Sequence, residues 1–137
     1  SFVFSSFSQI STYARISNAS FRIMKHYLPG PFTFILPATN YVPKKVCPKR
    51  KTVGVRMPGC AACLELVEML GEPLANTSIR LSGQLRADPE VVKPAVLNEV
   101  DIMVDIGMLE NPVSSTIVDL TGDAPQVLRW GKGTFDG

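Results

Sequence analysis

Three short polar segments follow three apolar, β-like runs, and this placement limits the chain to folds in which the ends of several strands meet. The segments are residues 52–58, 76–83 and 114–120, and residues 128–131 follow the last of them. Hydroxyls and arginines at strand ends of α/β sheets commonly hold anions, because a rigid sheet edge aims several donors at one phosphate or carboxylate. The pattern therefore predicts an anion-binding site in addition to a core.

Composition and length predict one globular, water-soluble domain spanning residues 1–137. Apolar residues make up 45% of the chain and charged residues 19%, and no apolar run is long enough to span a bilayer. The formal net charge of +2 does not by itself imply nucleic acid. Five cations nevertheless fall within eight positions: Lys44, Lys45, Lys49, Arg50 and Lys51. This run is typical of a solvated loop, and it is also compatible with contacts to RNA phosphates.

The start of the chain suggests a location and a missing segment. Residues 1–5 already resemble a β-strand, with Phe2 and Phe4 on one face, which predicts that a segment upstream of Ser1 is absent. No charged region followed by an apolar region and a cleavage site marks a signal peptide, so we expect a cytoplasmic protein without a membrane partner.

The three cysteines, Cys47, Cys60 and Cys63, are expected to be reduced in a chain without secretory signs. Cys60 and Cys63 have the spacing of a redox or zinc motif, but a structural zinc needs four ligands, and only Cys47 and His26 could be added. Because Cys60, Cys63 and Leu64 recur at helical spacing, both thiols are predicted to belong to a core-facing stripe.

Alternating elements predict an α/β domain with a mixed, twisted sheet. Strands are predicted over 1–5, 32–36, 52–56, 74–78, 102–106, 116–120 and 126–129. Ser8 or Ser11 is the predicted cap of a first helix and Asn18 that of a second. A third helix is predicted over 61–70 with Gly71 as its C-cap, and a fourth begins at Asp88 and Pro89.

The order and spacing of five segments resemble the YrdC-like family over nearly the whole chain. These are residues 28–37, 52–58, 73–83, 115–120 and 128–131, and residues 9–13 and 22–25 resemble its YciO branch most. The resemblance implies a YrdC-like open twisted mixed sheet with flanking helices and a positively charged concave face. It also implies one of two functions. Some members are threonylcarbamoyl-AMP synthases, which join threonine, bicarbonate and ATP for tRNA modification, and YciO-type members are regarded mainly as double-stranded RNA-binding proteins.

Site residues follow from this resemblance, position by position. The threonine site would comprise Arg56, Ser78, Ser115 and Arg129. Thr52 and Arg80 would contact the nucleotide, and Lys44, Lys45, Lys49 and Arg50 would contact RNA. Magnesium is expected beside the ATP phosphates, although no carboxylate is a clear ligand, and neither a metal-binding nor a catalytic residue is assigned.

Two departures from the family pattern qualify these expectations. The family's N-terminal block has no counterpart before Ser1, so the chain alone is expected to lack synthase activity. The family's Ser-Ala-Asn triplet is here Ser78-Ile79-Arg80, and Arg80 could bind a phosphate or block the adenine position. From the residues alone, Ser78 and Ser82 could form an ordinary turn, and Arg129 could stack on Trp130 as a structural cation–π pair.

Overall fold

The computed structural model describes residues 1–46, 51–109 and 112–137, which form two compact units. Unit 1 consists of Ser1–Asn76 and Ser115–Gly137, and unit 2 of Thr77–Ser114. Unit 1 contains α1 (Phe7–Tyr13), α2 (Asn18–Tyr27), α3 (Ala61–Leu70), β1 (Phe2–Val3), β2 (Phe32–Pro37), β3 (Thr52–Arg56), β4 (Leu74–Ala75), β7 (Thr116–Asp119) and β8 (Gln126–Arg129). Unit 2 contains β5 (Arg80–Leu81), β6 (Gln84–Leu85) and α4 (Pro89–Val96).

The sheet of unit 1 has six strands in the order β4-β1-β3-β2-β7-β8. Strand β2 runs antiparallel to β3 and parallel to β7, and β1 runs parallel to β3, so the sheet is mixed. The flanking helices and the mixed sheet confirm the predicted fold class. No helix within the described ranges is long and apolar enough to cross a membrane.

One face of this sheet forms the core, and we call it the core face. It presents Phe32, Phe34, Leu36, Val53, Val55 and Val118, which pack with Ile10 of α1 and Met24 of α2. The residues between them along β2, β3 and β7 are mostly half-buried, as expected when successive side chains of a strand point to opposite faces. Sequence alternation thus leaves a second face of the sheet available for polar groups.

Local capping explains where the first two helices begin, and it corrects both predicted caps. Ser6 caps α1, because its hydroxyl accepts a hydrogen bond from Gln9 N at 3.1 Å. Ser17 caps α2 in the same way, accepting from Ser20 N at 3.0 Å. The predictions of Ser8 or Ser11 and of Asn18 were wrong because several neighbouring residues are all good caps, and only tertiary packing selects among them.

Helix α3 has the predicted bounds but not the predicted buried stripe. It ends at Gly71, whose φ of 70° is the left-handed C-cap conformation. Val67 is its buried residue, whereas Cys63 is exposed and Cys60 is half-buried. The prediction that both thiols face the core was therefore wrong, because the helix turns a different side toward β1.

Two strand predictions were also wrong. The predicted strand over 74–78 is limited to β4, and residues 102–106 form no strand although their apolar side chains alternate. Among the described residues, no other strand pairs with 102–106, and an extended segment without a hydrogen-bonded neighbour is not part of a sheet. Ile102 and Val104 are consequently 81% and 64% exposed.

In unit 2, β5 and β6 form a hairpin that is closed by a two-residue turn. Ser82 and Gly83 have φ values of 51° and 78°, and this pair of positive values is typical of the type I′ turn that suits hairpin twist. The turn interpretation of Ser82 is confirmed. Helix α4 begins as predicted after Asp88, whose carboxylate accepts from Glu90 N at 3.0 Å.

Candidate anion-binding site

The site lies on the second face of the unit 1 sheet, which we call the outer face. It consists of the residues of β2, β3 and β7 that alternate with the core residues: Thr33, Ile35, Pro37, Thr52, Gly54, Arg56, Ile117 and Asp119. Strand pairing places Thr33 beside Ile117 and Ile117 beside Arg129. Continuing the β2–β3 register by one residue brings Thr33 opposite Arg56.

The resulting row of residues crosses four strands and has an arginine at each end. At about 4.8 Å between neighbouring strands, the Cα atoms of Arg56 and Arg129 lie roughly 14 Å apart. Two arginine side chains that extend toward each other over this distance can hold one small anion between them. The pKa of Arg56 responds to the charge of Arg129, which is consistent with this arrangement.

Arg56 is the most constrained cation of the row. In the amide orientation that satisfies its neighbours, Asn76 accepts from Arg56 Nη1 at 2.7 Å and donates to the Ser1 carbonyl at 3.2 Å. Burial lowers the pKa of Arg56, the Cys63 side chain raises it, and the charge of Arg129 lowers it. An arginine nevertheless stays protonated in proteins.

The Nε atom of Arg56 is the strongest sign of a ligand. It is buried, and it has no hydrogen-bond partner within the described part of the chain. Leaving a buried donor unpaired costs about 1–3 kcal/mol, and more when the group is charged. A ligand oxygen that accepted from Nε would recover this energy, so the geometry suits an anion on the outer face beside β3.

Ser115 organises the opposite end of the row. Arg129 donates to the Ser115 carbonyl from Nη2 at 2.8 Å and from Nε at 3.3 Å. The Ser115 hydroxyl shares a 2.7 Å hydrogen bond with the hydroxyl of Thr33 on the neighbouring strand. Among the described residues the partner of Arg129 is thus Ser115 and not Trp130, a residue that is 63% exposed. The cation–π interpretation of Arg129 was wrong.

Gly54 lies at the centre of this face, where neighbouring residues leave no room for a side chain. A Cβ atom at Gly54 would lie 3.0 Å from the Cβ of Ser1 and 3.3 Å from the Cγ2 of Thr33. A larger residue would also stand between Thr52 and Arg56, which are on the same face of β3, about 13 Å apart at 3.3 Å per residue. The absence of a side chain at Gly54 thus lets Ser1 and the Thr33 methyl group pack against the centre of β3.

A basic cleft of about 730 Å³ lies at the Thr52 end of β3. Three cations, Arg15, Lys44 and Lys51, and three threonines, Thr39, Thr52 and Thr121, belong to its lining. Lys45, predicted together with Lys44, is exposed, and the predicted Lys49 and Arg50 lie outside the described residues. Clustered cations and hydroxyls are the groups that bind phosphates.

The remaining predicted site residues belong to unit 2. Ser78 is exposed. Arg80 donates to the Gly83 carbonyl at 3.2 Å and to the Ser114 hydroxyl at 3.5 Å, so its guanidinium is held by its own hairpin and by the end of unit 2. Their assignments to threonine and to nucleotide stay predictions.

The donor set does not fit a metal held by protein ligands alone. No group of three or more His, Cys, Asp or Glu in the described ranges could hold an ion. The one carboxylate of the outer face, Asp119, accepts from Thr121 N at 2.8 Å and from Thr121 Oγ1 at 2.6 Å.

Sequence reasoning missed two residues of this site. Thr33 pairs with Ser115, and Asn76 orients Arg56. The available signal for Thr33 was its position as the polar exception in an apolar strand. Asn76 gave a weaker signal, because it begins a polar segment in which the hydroxyl residues that follow it are equally good candidates for a site.

Comparison with known proteins identifies relatives of this chain. The family model Sua5_yciO_yrdC, described as telomere recombination, matches residues 1–131. The YciO protein of Escherichia coli K12 is 42% identical over 92% of the chain, and its crystal structure superposes with a TM-score of 0.90 at 39% identity over 97% of the chain. The chain covers 62% of the YciO sequence and 66% of the YciO crystal chain, and thus spans less than two thirds of that relative.

A second relative carries an enzyme name. The threonylcarbamoyl-AMP synthase of Pyrococcus abyssi is 32% identical over 92% of this chain and 38% of its own length. The crystal structure of P. abyssi Sua5 complexed with L-threonine superposes with a TM-score of 0.87 at 31% identity, over 95% of this chain and 39% of the Sua5 chain.

Proposed function

Because this chain belongs to the Sua5/YciO/YrdC family, we propose that the outer face of unit 1 binds L-threonine and ATP and that the whole protein makes threonylcarbamoyl-AMP. The proposal concerns the whole protein because the chain spans less than two thirds of its relative YciO. The similarity to the P. abyssi synthase and to the L-threonine complex of Sua5 supports the choice of ligands.

The unpaired Nε of Arg56 is the observation that carries the proposal. A carboxylate has two acceptor oxygens in one plane, and a guanidinium offers matching donors. Asn76 already occupies Nη1 of Arg56, so Nε remains as a donor without a partner among the described residues. In the proposed complex, the threonine carboxylate accepts from this atom, and Arg129 and the Ser115 hydroxyl complete the positive surroundings.

The nucleotide is proposed to lie toward the Thr52 end of the same face. The basic cleft supplies Arg15, Lys44 and Lys51 for phosphate oxygens. In the reaction, an oxygen of the threonine carbamate attacks the α-phosphorus of ATP, the bond to the β-phosphate oxygen breaks, and pyrophosphate leaves. Carbamate, carboxylate and triphosphate repel one another, so the cations act by offsetting charge and by positioning the reacting atoms.

Calorimetric titration of L-threonine into the full-length protein tests this function. We expect Arg56→Lys to weaken binding about tenfold or more, because lysine keeps the charge but has no Nε donor, and a hydrogen bond to a charged group contributes about 1.5–3 kcal/mol. Arg22→Lys is the matched control, since Arg22 is exposed on α2. Equal affinities of the wild type and Arg56→Lys would contradict the proposed carboxylate site.

RNA binding is a second candidate, favoured by the position of Lys44 in the basic cleft. In this case the cations of the 44–51 run contact phosphates of double-stranded RNA or tRNA, and no adenylate is made. The affinity for a short RNA duplex should then fall steeply with salt, and the slope should flatten when Lys44, Lys45, Lys49 and Arg50 are changed to glutamine. Binding that ignores both salt and these changes would exclude this candidate.

A further inference from the structure

We propose that Cys60 and Cys63 form a redox-active dithiol that exchanges with small disulfides such as oxidised glutathione. The pair adjoins the proposed threonine site, because Cys63 and Arg56 interact electrostatically, but thiol exchange needs neither bound threonine nor bound nucleotide. It lies at the beginning of α3, where Cys60 is the N-cap residue and Cys63 is in the first turn. Both thiols are free, Cys60 half-buried and Cys63 exposed, so a small disulfide can reach them.

The backbone permits a bond between the two sulfurs. Helical residues three apart have Cβ atoms about 5–6 Å apart, and a disulfide needs roughly 3.5–4.5 Å. Cys60 has an extended backbone, with φ of −116° and ψ of 109°, and its side chain makes no capping hydrogen bond of good geometry. Cys60 can therefore shift toward Cys63 at the cost of little helical structure.

The two thiols differ in the way that exchange chemistry requires. The N–H groups of Cys63 and Ala62 and the Cys63 thiol lower the pKa of Cys60, with the backbone of Cys63 as the largest cause and burial acting against them. Although the residue is exposed, partial burial of the thiol group itself raises the pKa of Cys63, and the hydrogen bond to Cys60 and the Cys60 charge raise it further. Cys60 is thus the attacking thiolate, and Cys63 is the thiol that later resolves the mixed disulfide.

The exchange then proceeds in two balanced steps. The Cys60 thiolate attacks one sulfur of the small disulfide, a mixed disulfide forms, and the first small thiol leaves with the second sulfur and takes up a proton. Cys60 no longer carries charge, so one cause of the raised pKa of Cys63 disappears while the attraction of Arg56 remains. Cys63 then loses its proton to solvent and its thiolate attacks the Cys60 sulfur. The Cys60–Cys63 bond forms as the mixed disulfide bond breaks, and the second small thiolate leaves and takes up a proton. Two electrons pass from the protein thiols to the small disulfide.

A structural zinc site is the main alternative for this spacing, and the structure argues against it. Zinc in such sites takes four ligands, whereas the described ranges contain no group of three or more His, Cys, Asp or Glu. Within the part of the chain that the structure describes, the two accessible thiols have no third ligand beside them, which suits disulfide exchange better.

The test uses the full-length protein with Cys47→Ser, which leaves the pair as the cysteines of this chain. After incubation with excess oxidised glutathione, we expect the free thiols of the pair to fall from two to none, and intact mass to decrease by two hydrogens without a glutathione adduct. Adding Cys63→Ser should trap glutathione on Cys60, whereas adding Cys60→Ser should leave Cys63 largely unmodified.

Two results would overturn the proposal. One is the persistence of both free thiols in excess oxidised glutathione, and the other is a stable adduct on the unaltered pair, which would show that Cys63 cannot displace it. Cys60→Ala replaces Cys60→Ser if the serine variant fails to fold, judged by circular dichroism. Because threonine is absent from every arm, failure here is distinguishable from failure of the proposed function.

Discussion

Thr116→Val should destabilise the protein strongly although it barely changes the shape of the side chain. Thr116 on β7 is fully buried, and its hydroxyl donates to the Gly133 carbonyl at 2.5 Å and accepts from Gly131 N at 3.0 Å. The carbonyl of Gly133 is buried and would lose its partner, at a cost of about 1–3 kcal/mol. The half-buried N–H of Gly131 can take water, so its lost hydrogen bond adds about 1 kcal/mol.

These terms sum to roughly 2–4 kcal/mol, or a decrease in Tm of about 6–20 °C at about 3–5 °C per kcal/mol for a chain of this size. Urea unfolding and thermal melts of both forms measure the loss. Thr116→Ser is the matched control, because it keeps the hydroxyl and removes one methyl group, worth about 1 kcal/mol. The reasoning fails if Thr116→Ser is more destabilised than Thr116→Val, since the methyl contacts and not the hydrogen bonds would then dominate.

Three further outcomes are expected. Gly133→Ala should lower the free energy of unfolding in urea by about 1–3 kcal/mol, because the added Cβ would lie 2.5–2.8 Å from the ring of Phe32. Gly59→Ala is the control and should change stability little, since nothing lies within 4 Å of its Cβ. Equal losses in the two variants would contradict the clash. Ser115→Ala should weaken calorimetric L-threonine binding and lower stability by about 1 kcal/mol, because it removes the hydroxyl bonded to the neighbouring strand. Alkylation of Cys60 should stay fast at pH values where an unstructured cysteine peptide has slowed, because the lowered pKa keeps its thiolate populated as pH falls; matching pH profiles would refute this.

Local signals predicted the elements that need little tertiary information. Strand β3 and helix α3 have the predicted bounds, since one is a short β-branched run and the other ends in a glycine C-cap. Residues 102–106 show the opposite case. Their alternation is that of a strand, but a strand exists only beside a partner, and composition does not reveal whether a partner is present.

The candidate site was likewise only partly predictable from the sequence. The family resemblance pointed to Arg56, Ser115 and Arg129, and strand register places Arg56 and Arg129 at the ends of one row, with Ser115 at the Arg129 end. Thr33 and Asn76 could not be assigned from sequence, because their roles depend on side-chain partners far away in the chain. Cys63 was misplaced for a related reason, since a helical stripe does not say which side faces the sheet.

The partners of the two arginines explain why the row can attract an anion. Arg56 is held by the Asn76 amide and Arg129 by the Ser115 carbonyl, and both of these groups are neutral. A carboxylate in either place would fix the guanidinium equally well, but it would also cancel the charge that a ligand must meet. Neutral partners orient the cations and leave their charge uncompensated, and the burial of Arg56 makes that charge costly until an anion binds. The row therefore combines oriented donors with uncompensated positive charge, as the proposed binding of a carboxylate beside a triphosphate requires.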